Sequence, residues 1–279
     1  MAWMVNTTTV SPAARRVSSL HGLRGDGDAG GREDGATGSE EWRRQVRGAV
    51  FGADGETVVA VVLAMGVPEI ALQFLGDGLL VALAQHVDGA AEPATELAAK
   101  LRTRDWDGDR DLADQLDWTL GLSAEPPLRD LNVDLDELSM LIEGNPVDGG
   151  GRVNLETGEV WHQSAIEYGV EAGELDPGEV DVADGWLDVP GSGSRAGYCD
   201  MADFVATVTD PRQAEQVERT LSGRGVFKRF ASLVSRWPDE LDRWRAFSDD
   251  RQRGRARSWL ASVGYRPAIH TQSPPPPTN

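Results

Sequence analysis

At 279 residues, 40% of them apolar, and with a formal net charge of −19 at pH 7, the chain has room for one or two domains with cores of their own. So acidic a chain repels nucleic acid and anionic membrane surfaces at long range, and a nucleic-acid role would need a local basic patch that overcomes this field. The single cysteine, Cys199, excludes an internal disulfide framework and fits a reducing cytoplasm.

Residues 1–40 are expected to form a disordered tail. The stretch GLRGDGDAGGREDGATGSE is glycine and charge without an apolar period, so no burial offsets the entropy of ordering it. The opening stretch MAWMVNTTTVSPAARRVSSL lacks the apolar core of a signal peptide. A helical module is predicted over 41–122. Its most apolar run, Val58 to Gly76, is interrupted by Pro68 and Glu69, whereas a membrane helix needs about 20 uninterrupted apolar residues. Pro68 suits a first helical turn. Ala71, Leu72, Leu75, Leu79, Leu80 and Leu83 follow the spacing of three and four that builds one apolar face. Pro93 opens the next helix, with Leu97 and Leu101 on one stripe, and Asp109 to Leu120 forms another through Leu112, Leu116 and Leu120. Short connections make these helices antiparallel neighbours. Asp105, Asp107, Asp109 and Asp111 alternate as in a calcium loop, but Arg110 and Leu116 stand where such a loop needs glycine and a bidentate glutamate. An acidic helix start, favoured by the helix dipole, is the better reading.

Residues 123–133, with SAEPPLRD, are expected to be a linker, followed by an α+β domain over 134–268. RVNLETGEVWH forms two short strands around Glu156-Thr157-Gly158, and EVDVADGWLDVP adds a strand-like region. Five helices then follow: Met201–Val208, Pro211–Leu221, Val226–Val234, Pro238–Phe247 and Asp249–Val263. The last has Ser248 as N-cap, Ala256, Trp259, Leu260 and Val263 inward, and Gly264 as C-cap. A Pro-rich disordered tail is expected over 269–279. The fold class is thus α+β, a small hairpin or sheet plus about five helices, preceded by an all-α helical module.

Charge is segregated. From Asp134 to Asp188 nearly every charge is acidic, and from Arg219 to Arg257 arginine dominates. Either the two halves complement each other, within the fold or across a dimer, or they present separate faces to partners. Arg251 and Arg255 share one helix face and form a basic pair suited to a partner; Arg253 and Arg257 share another. The nearby Trp244, Phe247 and Trp259 could stack on single-stranded nucleic acid, but they stand at core spacing. In LSGRGVFKRF, Ser222, Gly223, Arg224, Gly225, Lys228 and Arg229 combine a glycine turn, a helix start and cations, which suits an anion or phosphate. The same residues would equally join two helices. Cys199 with His162 could pair as nucleophile and base, yet no third orienting group stands out, and a half-buried, inert thiol is the simpler reading.

LETGEVW, YCDMADFVATV, LSGRGVFKRFASLV, WRAFSDDRQRGRARSWL and GYRP, in that order, resemble Uncharacterised Protein Family 0158, a group of bacterial proteins, over roughly 134–267. The resemblance implies an α+β fold and no known reaction. Val226 stands where the family usually has alanine, and Arg245 where an aromatic commonly follows the tryptophan; both are packing-scale departures. The N-terminal module resembles an extension of actinobacterial-type members, in keeping with a chain whose only lysines are Lys100 and Lys228.

No nucleophile, metal or cofactor constellation stands above background, so neither a cofactor nor a metal site is expected. The expected function is that of a non-catalytic cytoplasmic binding or adaptor protein with a protein partner or a second copy of itself, and without a membrane. The alternative is a binding protein or enzyme for a phosphate-containing ligand, nucleotide or single-stranded RNA, at the turn over 223–225.

Overall fold

The computed structural model describes residues 34–144, 150–176, 178 and 185–270. The expected tails lie outside the described residues, except that 34–40 open the first helix and Ile269 packs on the N-terminal core. The described residues form an α+β fold of eleven helices and five short strands.

The helical part contains α1 (Asp34–Phe51), α2 (Gly55–Met65), α3 (Leu72–Ala84), α4 (Ala91–Arg104) and α5 (Asp109–Thr119). The apolar stripes read from the sequence meet in one core, where Leu72, Leu75, Leu79, Leu97, Leu101, Leu112 and Leu116 are all buried. Pro68 does not open a helix. It lies in the connection before α3, which instead starts from Ala71 in the left-handed conformation (φ 64°). The first N–H groups of α3 need an acceptor, and Asp250, far along the chain, supplies it: the amides of Leu72 and Gln73 donate to its carboxylate at 3.2 and 2.7 Å.

The region expected as a linker contains β1 (Arg129–Leu131), which pairs in parallel with β5 (Tyr265–Pro267). Two helices were not anticipated, α6 (Leu135–Ile142) and α7 (Gln163–Glu171). Asp134 caps α6 by accepting from the amides of Asp136 and Glu137. A three-stranded antiparallel sheet has the order β3-β2-β4, from β2 (Gly150–Asn154), β3 (Val160–His162) and β4 (Trp186–Pro190). Its hairpin is the one read from the sequence. Gly158 has φ +81°, and a Cβ there would fall 1.8 Å from the Asn132 carbonyl oxygen.

The remaining helices are α8 (Ser194–Val205), α9 (Pro211–Thr220), α10 (Val226–Val234) and α11 (Pro238–Ser262). α8 starts seven residues before the predicted Met201. The two helices predicted over 238–263 are one helix of 25 residues. Ser248 is therefore not a cap but a mid-helix residue, whose hydroxyl accepts from the Gln252 amide at 3.2 Å. The capping pattern is present locally; continuing the helix is what lets Phe247, Asp250 and Ala256 all become buried. Gly264 follows the end of α11 with φ +87°.

α11 joins the cores. Phe247 enters an aromatic cluster with Phe204, Phe230 and Trp244, whose ring centroids are 4.7–6.3 Å apart, so these rings are packing groups. Ala256 and Leu260 pack with α6 and the strands. The helical module reaches α11 backbone to backbone: a Cβ on Gly254 would meet the Asp107 carbonyl oxygen at 2.2 Å, and one on Gly108 would meet the Gly254 carbonyl oxygen at 2.2 Å. Two main chains cannot yield as a side-chain tip can. Gly254→Ala is expected to lower stability by about 2 kcal/mol or more. Gly48→Ala, where a Cβ meets nothing within 4 Å, should raise it by about 0.5–1 kcal/mol. Urea midpoints of the two variants against wild type measure both.

Candidate functional site

The four arginines at alternate positions of α11 are turned about 200° from one to the next, and each finds a different set of acceptors. Arg251 donates to Asp200 at 2.9 Å and to Asp203 at 3.2 Å. Arg255 holds the Asp200 carboxylate with both terminal nitrogens, at 3.0 and 2.8 Å, and donates Nε–H to Glu143 at 2.8 Å. Arg251 and Arg255 thus turn to one acceptor, and their side of α11 closes on α8 and the end of α6 within the fold. On the other side, Arg253 donates to Asp77 at 2.7 Å and to Asp136. Arg257 is 2% exposed and donates to Gln73 at 2.9 Å, to Gln115 and to Asp77.

Gln73 extends this network to Asp109, donating to its carboxylate at 2.8 Å. Asp109 also accepts from Arg104 and from the Trp106 amide. Arg104 in turn donates to Asp250. Asp105, the next member of the alternating aspartates, pairs with Arg110 at 2.7 Å. Burial by itself would raise the Asp77 carboxyl, but Arg257 and Arg253 together hold it below the ordinary aspartate value. The acidic partners Asp77, Asp200 and Asp250 were not singled out from the sequence. The available signal was weak: Gln73 and Asp77 stand four apart within the otherwise apolar stretch LQFLGDGLLVALA.

The Gly-Arg-Gly turn connects α9 to α10, with Gly223 at φ +81° and Gly225, the N-cap of α10, at φ +72°. Arg229 folds back and donates to the carbonyls of Thr220 (3.0 Å), Ser222 and Arg224. It thereby covers the open carbonyl end of α9. Arg224 and Lys228 are exposed and make no ion pair among the described residues, and Ser222 is exposed beside them. Cys199 is exposed on α8, not half-buried, and His162 is exposed at the end of β3. Among the described residues no group of three or more His, Cys, Asp or Glu is placed to hold a metal ion, and no helix is long and apolar enough to cross a membrane.

A concave feature lies between the helical part and the α+β part. It is a groove of about 980 Å³ between α1 and α3 on one side and α6 with the hairpin tip on the other. Val50, Phe51, Leu80, Leu135 and Ile269 contribute its apolar lining, and Phe51 is 74% exposed. Asp134, Asp136, Glu137 and Glu159 line it with carboxylates. Burial and the adjacent Asp134 charge push the Glu137 carboxyl up. A smaller cleft of about 310 Å³ shares Arg47, Phe74, Asp136 and Arg253 with the groove and extends to Trp42. Both guanidiniums lie over the Phe74 ring, at 5.5 and 5.3 Å from its centroid.

The sequence model of the Uncharacterised protein family (UPF0158) matches residues 194–279. Over this segment, which contains α8 to α11, the resemblance read from the sequence is borne out. The resemblance was drawn from residue 134 onward, and the hairpin lies before the matched segment. No curated protein and no solved structure matches the chain.

Because Asp77 titrates below its unfolded value of about 3.9, its ionised form stabilises the fold above that pH, and the contribution is lost as pH falls through the lower, folded value. Asp77→Asn leaves Arg253 and the buried Arg257 short of a half-buried counter-charge. It should cost about 3–5 kcal/mol at pH 7, and the gap to wild type should narrow below pH ~4. Urea titrations of both proteins across that range measure it.

Proposed function

We propose that the chain is a non-catalytic cytoplasmic binding or adaptor protein that docks a protein partner in the groove between α1, α3 and α6. The observation that carries this reading is the groove itself: an apolar lining that includes the exposed Phe51, set where the two parts of the chain meet and edged by carboxylates. A large exposed aromatic in a concavity is the kind of anchor on which interface energy concentrates, and clefts between structural units are the usual place for binding. Arg251 and Arg255 have little to offer a partner, because both side chains are engaged with Asp200. Reversing their charge would break the fold before it could test an interface.

A photo-crosslinking phenylalanine analogue at position 51 should yield a discrete protein adduct in cells, and the same group in place of Tyr168, 69% exposed on α7, should not. Absence of an adduct at 51 would refute the reading.

One observation favours a second reading at the Gly-Arg-Gly turn. Arg224 and Lys228 are exposed beside the N-terminus of α10 and are in no ion pair among the described residues, which suits a phosphate-containing ligand, nucleotide or single-stranded RNA. A thermal-shift screen with nucleotides and short RNAs at low salt tests it. A ligand at a hundred times its dissociation constant adds about 2.7 kcal/mol of stability. The rise in melting temperature should vanish in Arg224→Ala/Lys228→Ala; a rise retained in the double variant, or none with any ligand, removes this site.

A further inference from the structure

The groove's ionisable lining is weighted towards negative charge, with Arg47, Arg253 and His270 against Asp77, Asp134, Asp136, Glu137 and Glu159. Its guanidiniums are already engaged: Arg253 with Asp77 and Asp136, and Arg47 with Asp249. Asp134, Glu137 and Glu159 are left in no ion pair among the described residues. Asp134 accepts from two amides at the start of α6, and the helix dipole favours acidic groups there. Glu137, exposed at the groove's edge, is nonetheless close enough to that charge for local desolvation and Asp134 to raise its carboxyl, which His162 only partly offsets. A cation brought into the groove would relieve this repulsion, in surroundings less screened than open water. The same groove is lined by Phe51, an apolar side chain that is 74% exposed. A simple cation would leave that ring in water, and a purely apolar segment would bury the carboxylates without a counter-charge.

We propose that the groove takes a protein segment carrying arginine or lysine next to apolar side chains, the cations meeting Glu137 and Glu159 and the apolar groups covering Phe51. This rests on the adaptor reading and names the chemistry of the partner. The chain's net charge of −19 draws such a segment in from a distance, while the groove decides where it stays.

The test is fluorescence anisotropy on the full chain with a labelled 18-residue amphipathic Leu/Lys peptide, and a Leu/Glu peptide of the same spacing as counter-probe. Glu137→Gln/Glu159→Gln removes the two groove carboxylates. Glu92→Gln/Glu218→Gln removes the same charge from exposed positions outside the groove. The Leu/Lys peptide should bind at least tenfold more weakly to the groove variant and to Phe51→Ser, and change less than twofold with the control variant. The Leu/Glu peptide should not bind. Melting temperatures close to wild type verify that each variant is folded, since all five positions are exposed.

Equal weakening in both double variants would mean that the whole protein's field attracts the peptide, and would overturn the proposal. So would failure of the Leu/Lys peptide to bind. If that failure accompanies a protein adduct at position 51, the adaptor reading stands and only the partner chemistry falls. A cross-link from position 51 to residues 1–33 or 271–279 of the same chain would also overturn it, because the occupant would then be the chain itself.

Discussion

A helix bearing arginines on several faces can run through the middle of a protein only if each guanidinium meets an anion or a carbonyl there. α11 does so. It is 25 residues long and contributes to two hydrophobic cores while touching the helical module through Gly254. Its neighbours are arranged to receive it: α3 brings Gln73 and Asp77, α8 brings Asp200, and α6 brings Asp136 and the Glu143 that follows it. The exchange runs both ways, since Asp250 of α11 closes the open N-terminus of α3.

Such burial is not a large source of stability. Desolvating a guanidinium and a carboxylate costs about as much as their attraction returns, and an apolar substitute of equal volume often serves as well. Arrangement is the more direct consequence. Arg257, 2% exposed, has its acceptors at one depth and one rotation of α11, so sliding or turning the helix would strand buried charges. The close approach at Gly108 and Gly254 reinforces that position sterically. Together they explain why an acidic chain keeps a run of arginines near its C-terminus; of the acidic stretch from Asp134 to Asp188, Asp136 and Glu143 pair with it.

This internal use of the arginines moves functional attention elsewhere. A basic helix that is already paired presents little free positive charge, and its nearby aromatics are packing groups. Two features among the described residues stand out for exposed groups suited to binding. One is the groove, which an exposed aromatic and carboxylates outside any described ion pair both line. The other is the turn before α10, where Arg224 and Lys228 remain exposed while Arg229 caps α9. The groove is favoured because it combines concavity, apolar surface and charge in one place.

Local structure was legible in the sequence wherever one element carries its own signal. The leucine stripes of α3, α4 and α5, the hairpin with Gly158, the αβ character of the C-terminal part, the end of α11 at Gly264 and the family resemblance all depend on neighbours within a few residues. The continuity of α11 through Ser248 did not follow from that pattern, because a serine before two aspartates is a good start signal and only burial on both sides shows it unused. The short helices α6 and α7 lie in segments to which the sequence pattern assigned no element. The candidate site was almost wholly a tertiary decision. Asp250 and Leu72 are 178 residues apart and Arg253 and Asp77 are 176 apart; no periodicity reports such a pairing. The groove likewise exists only because α11 draws the helical part against α6 and the hairpin. The sequence by itself determined the apolar stripes of α3, α4 and α5 and the hairpin around Gly158, since these follow from backbone geometry over a few residues. Which charges would be consumed inside the fold, and which left at its surface, was decided by tertiary structure, because ion pairing depends on distance in space and not along the chain.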